Sequence, residues 1–130
     1  MMLPMGKGVP GPVVDLAEFQ AQVRAGNVHI YKTRALDIIQ AVRKCRVQEA
    51  RAYAKWAVLS LEDGDYAHSL EMLDGQLMDV YGKVIEEEGW YLKIEIHMND
   101  GQPGVLSCHP AERDLVTRSG VVPRSTSRTR

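Results

Sequence analysis

Seven side chains between positions 66 and 109 have the types and spacing to handle a phosphodiester: His68, Tyr81, Lys83, Tyr91, Lys93, Ser107 and His109. Two imidazoles can move protons near neutrality, because the unperturbed pKa of histidine is about 6.5. The lysines can meet phosphate charge, and the tyrosines can donate a hydrogen bond or stack on an exposed base. Such a set can bind RNA. It can also cleave it without a metal, since the substrate supplies its own nucleophile in the 2′-hydroxyl. The reaction then needs a base for the 2′ proton, an acid for the 5′ oxygen and cations around the phosphate. The same polar residues equally suit the solvent face of any half-exposed sheet, and composition alone favours that plainer use.

Alternation along the chain places them. Residues 78–84 put Met78, Val80 and Val84 on one side of a strand, and Asp79, Tyr81 and Lys83 on the other. Glu86 to Gly89 forms a turn in which Gly89 can take positive φ. The next strand separates Leu92, Ile94 and Ile96 from Tyr91, Lys93, Glu95 and His97, and a third places Leu106 and Cys108 opposite Ser107 and His109. Glu95 beside Lys93 suits a cross-strand charge partner, and Trp90 with Tyr91 suits either core closure or base stacking. The expectation is a three-stranded antiparallel meander, with one further edge strand an option at Val28–Tyr31, aliphatic on one face and polar on the other.

The aliphatic face needs a cover, and the preceding residues supply helices. Asp15 is placed to cap a helix through Leu16, Phe19 and Val23 that stops at Gly26; a second starts at Thr33 and a third runs over 47–59 after a break at Cys45 and Arg46. N-terminal helices on one face of a small antiparallel sheet make an α+β domain. The segment 61–76 reads as a turn-rich connection with a helical turn near Tyr66 to Leu70. The organisation expected is a loose arm at 1–13, one domain at 14–115 and a flexible Arg-rich tail at 116–130.

Residues 1–60 carry nine Lys/Arg against four Asp/Glu, 61–100 carry two against eleven, and 101–130 carry five against two. The basic outer segments suit phosphate or an acidic protein, and the acidic middle suits a solvated face. Cys45 and Cys108 are too few and too far apart for a disulfide framework or a Cys-rich metal site, and Cys108 reads as a buried thiol. The histidines lack metal-ligand spacing, and neither a phosphate-binding loop nor a dinucleotide fingerprint is present, so no cofactor is expected. No apolar run approaches the roughly 18 residues of a membrane span. With no apolar leader in the first residues either, the chain is expected to be cytoplasmic.

The motif order DYAHS, MDVYGKV, WYLKIEI and VLSCHPAERDL resembles the MqsR-like toxins of bacterial toxin–antitoxin systems, part of the wider RelE-like group of small ribonucleases. That family has a DFYKS-like loop, a strand reading DVY or VFGK, a strand reading Y-[LVI]-K-[IL], and a strand ending in SF plus a basic residue. One branch reads SFHPAE, which the stretch Ser107 to Glu112 is similar to. The likeness spans residues 15–115. It implies a RelE-like fold, an mRNA endoribonuclease without cofactor, and a cognate, DNA-binding antitoxin as partner. Position by position, it places the family's catalytic tyrosine on Tyr91, its loop lysine on His68 and its last basic residue on His109. Met78 stands where some members have Gln. Catalysis would fall to His109, His68, Tyr91 and Lys93, with Lys83, Tyr81 and Ser107 binding substrate. The alternative class is a non-catalytic interaction module using the same face; a weaker one is a DNA-binding regulator using the basic segments. Oligomeric state is left open.

Overall fold

The structure, a computed structural model, describes residues 6–126. Strand β1 (Lys7–Val9) precedes helix α1 (Leu16–Arg24), the short strand β2 (His29–Ile30), a π-helical segment (Lys32–Leu36) that runs directly into α2 (Asp37–Arg43), and α3 (Val47–Leu59). Strands β3 (Tyr66–Glu71), β4 (Leu77–Ile85), β5 (Glu88–Ile96) and β6 (Pro103–Pro110) follow, then a hairpin of β7 (Leu115–Thr117) and β8 (Gly120–Val122). The protein is α+β, with a mostly antiparallel sheet in the order β1-β3-β4-β5-β6-β2, β2 lying parallel to β6. The main sheet therefore has six strands where the alternation predicted three or four. No helix among the described residues is long and apolar enough to cross a membrane.

Local chemistry explains the helices. The Asp15 carboxylate accepts from the Glu18 amide, 3.0 Å away, and Gly26 takes a φ of 78° just beyond α1. Lys44, at a φ of 53°, ends α2, and the Glu49 carboxylate accepts from the Arg46 amide to start α3. Small residues Ala50, Ala54 and Ala57 line the buried side of α3. They share one core with Phe19, Ile39, Leu92, Ile94, Val105 and Cys108. Burial raises the Cys108 thiol to about 12, so it remains a protonated packing group.

Three expectations are corrected. First, β4 is inverted: Tyr81 is 1 % exposed and belongs to the main core, whereas Val80 packs with Leu115 and Val122 on the opposite side. Both faces of β4 are covered, so polarity does not reveal which is which. Tyr81 meets the Tyr66 ring edge-on at 5.8 Å, and Asp79 points the same way. Second, 66–71 is a strand, with its alternation broken by a bulge between Tyr66 and His68. Third, positive φ in the β4–β5 turn falls on Glu86 (53°) and Glu87 (71°), not on Gly89. Gly89 is needed for a close approach instead: a Cβ there would lie 1.9 Å from the Pro123 carbonyl oxygen.

Strands also lie beyond residues 14–115. Lys7–Val9 pairs with β3, and β7–β8 packs over β4, with Leu115 and Thr117 occupying the space a side chain at Gly82 would take. The expectations for residues 1–5 and 127–130 lie outside the described residues.

Asp79 ties the N-terminal segment to the sheet. Its carboxylate is fully buried and accepts from the Val13 and Val14 amides and the Ser69 hydroxyl. Asp79→Ala strands these donors in the core and is expected to cost at least about 2 kcal/mol, read as a lower urea midpoint.

Candidate active site

Strand β5 carries the centre of the site. Its Trp90, Leu92 and Ile94 enter the main core, which commits Tyr91, Lys93 and Glu95 to the other face. Residues paired across strands share a face. The register therefore lays out one row of His68, Val80, Lys93 and Ser107, and beside it a row of Gly82, Tyr91 and His109. Lys93 and His68 sit two strand spacings apart, about 9.5 Å. Lys93 and His109 are diagonal neighbours, at roughly 7–8 Å. The β7–β8 hairpin roofs the Gly82–Tyr91 end of this face and also Val80, which lies between His68 and Lys93.

His109 is held from three sides. Its ring stacks on Tyr91 at 5.1 Å with 15° between planes. Nδ1 lies 2.8 Å from the Pro110 carbonyl oxygen, and Nε2 lies 3.1 Å from Arg34 Nη2. A guanidinium only donates and a carbonyl only accepts, so Nδ1 must carry the proton and Nε2 the lone pair. Burial is the main cause that lowers the His109 pKa, with Arg34 and Lys93 adding to it and the Pro110 carbonyl opposing it. The resting ring is thus a neutral imidazole whose Nε2 lone pair is engaged by Arg34 and fixed in direction.

Lys93 is half-buried and makes no hydrogen bond or ion pair among the described residues. Its pKa is lowered by burial first and by Arg34 second. His68 is exposed, its pKa lowered by burial and then by Lys93. Tyr91 is held above its ordinary value, chiefly by burial, and acts as a neutral phenol. Ser107 is 4 % exposed and directly opposite Lys93. Cationic and protonatable groups thus outnumber acids here; Glu112, 3.3 Å from Arg34, is the carboxylate paired with the cluster.

Five of the seven predicted residues come together: His68, Tyr91, Lys93, Ser107 and His109. Tyr81 and Lys83 do not, and their assignment to this face is corrected. Tyr81 is in the core, and Lys83, opposite Trp90, reaches Asp65 at 3.4 Å. Both follow from the inverted β4.

Sequence reasoning missed Arg34, which the π-helical segment delivers to His109 from 75 residues away. Only the basic charge of the N-terminal half hinted at it. Beside His109 opens a cavity of about 460 Å³ lined by Arg34, Ile38, Ala41, Glu112 and Arg124. Among the described residues no group of three or more His, Cys, Asp or Glu is placed to hold a metal ion. No protein-family model and no curated protein matches the chain.

Proposed function

We propose that this protein is a metal-independent endoribonuclease of the RelE-like, MqsR-like toxin type, acting on mRNA and neutralised by a cognate antitoxin in the cytoplasm. The observation that carries the reading is His109: a neutral imidazole with its Nε2 lone pair presented to Arg34, stacked on Tyr91 and diagonal to Lys93, which has no ion-pair partner among the described residues. Once the Arg34 guanidinium turns from Nε2 to the bound phosphate, His109 Nε2 takes the 2′ proton, the 2′ oxygen attacks phosphorus, and the 5′ oxygen leaves with a proton from His68. Lys93 and Arg34 meet the charge that develops on the phosphate. A bound phosphate also offsets the repulsion of His68 by Lys93, which favours the protonated acid in the complex. Tyr91 keeps the base in plane, and Ser107 offers a hydroxyl beside Lys93.

The sign of the His109 shift sets a pH dependence. A base with lowered pKa stays unprotonated further into acid, so the acidic limb of kcat/KM is expected below pH 6.5. Removing the guanidinium in Arg34→Gln relieves one lowering cause and should move that limb toward higher pH. Full activity in EDTA on an RNA oligonucleotide, with none on the matching DNA, is the direct assay. Cleavage that stops in EDTA would overturn the metal-independent reading.

A second reading rests on the burial of His109, which is 3 % exposed. It makes the ring a packing element of a sheet face that binds a protein partner. That version predicts intact RNA in every assay and no growth arrest when the chain is expressed alone.

A further inference from the structure

We propose that the cavity of about 540 Å³ at the Glu95 end of the sheet is a docking site for a protein partner, and that it takes an arginine side chain from an otherwise apolar segment of that partner. The inference does not depend on the ribonuclease reading. Tyr31, Met72, Leu73, Met78 and Leu106 supply most of the wall, and Leu73 is 82 % exposed. A large aliphatic side chain so far out in water gives a partner's backbone an apolar surface to cover.

Glu95 is the group that selects the occupant. It is 2 % exposed, and its Oε2 accepts from the Tyr31 hydroxyl at 3.0 Å. Gly104 lets both residues close against the β6 backbone, since a Cβ there would lie 3.2 Å from the Tyr31 ring. The carboxylate is thus fixed in direction, with most of its about four lone-pair sites unfilled. Among the described residues no cation is ion-paired with it. Lys93, two residues along the strand, feels its charge but does not line the cavity. A carboxylate taken out of water is costly until a cation with matching donors meets it.

Charge and shape together select a guanidinium. The lining holds Asp74 and Glu95 and no Lys or Arg. His97 lines it too. Its Nδ1 accepts from the Asn99 amide at 3.3 Å, so the ring is neutral in this arrangement. The Asp100 carboxylate, 3.5 Å from the same nitrogen, would balance a proton gained there. The field in the cavity is therefore negative, which repels phosphates and acidic segments. Gln76 is committed: it donates to the Leu77 and Ile96 carbonyls and accepts from the Met98 amide. Glu95 is left as the acceptor for a newcomer. Arginine suits it, because its planar fork gives two parallel bonds to a carboxylate and sheds water more readily than an ammonium. Its stem then lies on Met78 and Leu106.

The probe is a blocked peptide, acetyl-Ala-Leu-Xaa-Leu-Ala-amide, with arginine, lysine, glutamine or glutamate at its centre. Each is titrated against the purified full chain by NMR at about pH 8, above the usual histidine range. The arginine peptide should shift the Gly104 and Ile96 amides and bind roughly tenfold or more tighter than the glutamine peptide. Glu95→Gln keeps an acceptor for Tyr31 and should bring those two peptides within about twofold of each other. Leu106→Trp, which fills the cavity, should abolish the shifts while the spectrum stays dispersed. Equal binding of the four peptides, or binding of none, would overturn the inference, as would an arginine preference that survives Glu95→Gln. A lysine peptide as tight as the arginine one would overturn the guanidinium assignment. Agmatine should bind far more weakly than the arginine peptide; equal affinity would mark a small-amine site and overturn the docking surface. No RNA enters the test, so none of these results decides the ribonuclease reading.

Discussion

Replacing His109 by alanine is expected to lower kcat/KM for RNA cleavage by about 10²–10⁴, the usual worth of a positioned general base. The loss should lie in kcat, because the cations proposed to hold the phosphate, Lys93 and Arg34, remain. Arg34 Nη2 loses its acceptor but remains exposed and paired with Glu112, so no buried charge is stranded. The fold should therefore persist, with the cost confined to the vanished ring and its stack on Tyr91. His109→Gln is the sharper companion. It can accept from Arg34 as the imidazole does, but it cannot take a proton at neutral pH. A variant that restores structure and not activity separates a catalytic ring from a packing one, and wild-type rates in either would remove His109 from the mechanism.

The second large effect is expected at Lys93, where activity and stability should move in opposite directions. Lys93→Met removes one of the two cations proposed to meet the phosphate and should reduce kcat by about 10²–10³. The lysine is half-buried with no partner among the described residues, and burial already disfavours its charged form. Methionine keeps the length and apolar contacts of the stem without that penalty. The variant should gain about 1 kcal/mol in urea unfolding, the signature of a residue retained for function at the expense of stability. A residue that merely decorates a solvated strand would change neither quantity. The substitution also removes a cause that lowers the His68 pKa, so the imidazole resonances of His68 should titrate at higher pH in Lys93→Met. An unchanged His68 titration would show that the two side chains do not share a site.

Why part of this site could be read from the chain and part could not is a matter of which strands have two unlike faces. Strand β5 was legible because Leu92 and Ile94 face a core, and Tyr91 and Lys93 do not. Strand β6 was legible at Cys108 and His109 for the same reason, but Leu106 sits at a bulge and joins the face of Met78 and Glu95. In β4 the rule fails. Asp79 is buried because two backbone amides and a hydroxyl satisfy it, and Val80 leaves the main core because a hairpin from the far end of the chain covers it. Neither partner is adjacent in sequence, so alternation assigned both residues to the wrong side. The hairpin itself was hidden in a polar, Arg-rich stretch whose strands have only three residues each. Arg34 had no local signal at all; its role depends on a contact between a helical segment and the end of β6.

The strand β3 shows a subtler limit. DYAHS resembles a loop motif, and the bulge between Tyr66 and His68 breaks the period that would have marked a strand. The bulge has a consequence for the site. It turns Tyr66 toward Tyr81 in the core while leaving His68 on the face of Lys93, so one short segment serves both packing and chemistry.

Metal-free attack by the 2′-hydroxyl is tested with an RNA oligonucleotide carrying a single 2′-deoxy nucleotide immediately 5′ of the cleaved bond, incubated with the purified protein in EDTA. The all-ribose control should be cut to give a 2′,3′-cyclic phosphate and a 5′-hydroxyl, and the single deoxy substitution should stop cleavage at that bond alone. Cleavage of the deoxy-substituted bond, or products ending in a 5′-phosphate, would contradict it.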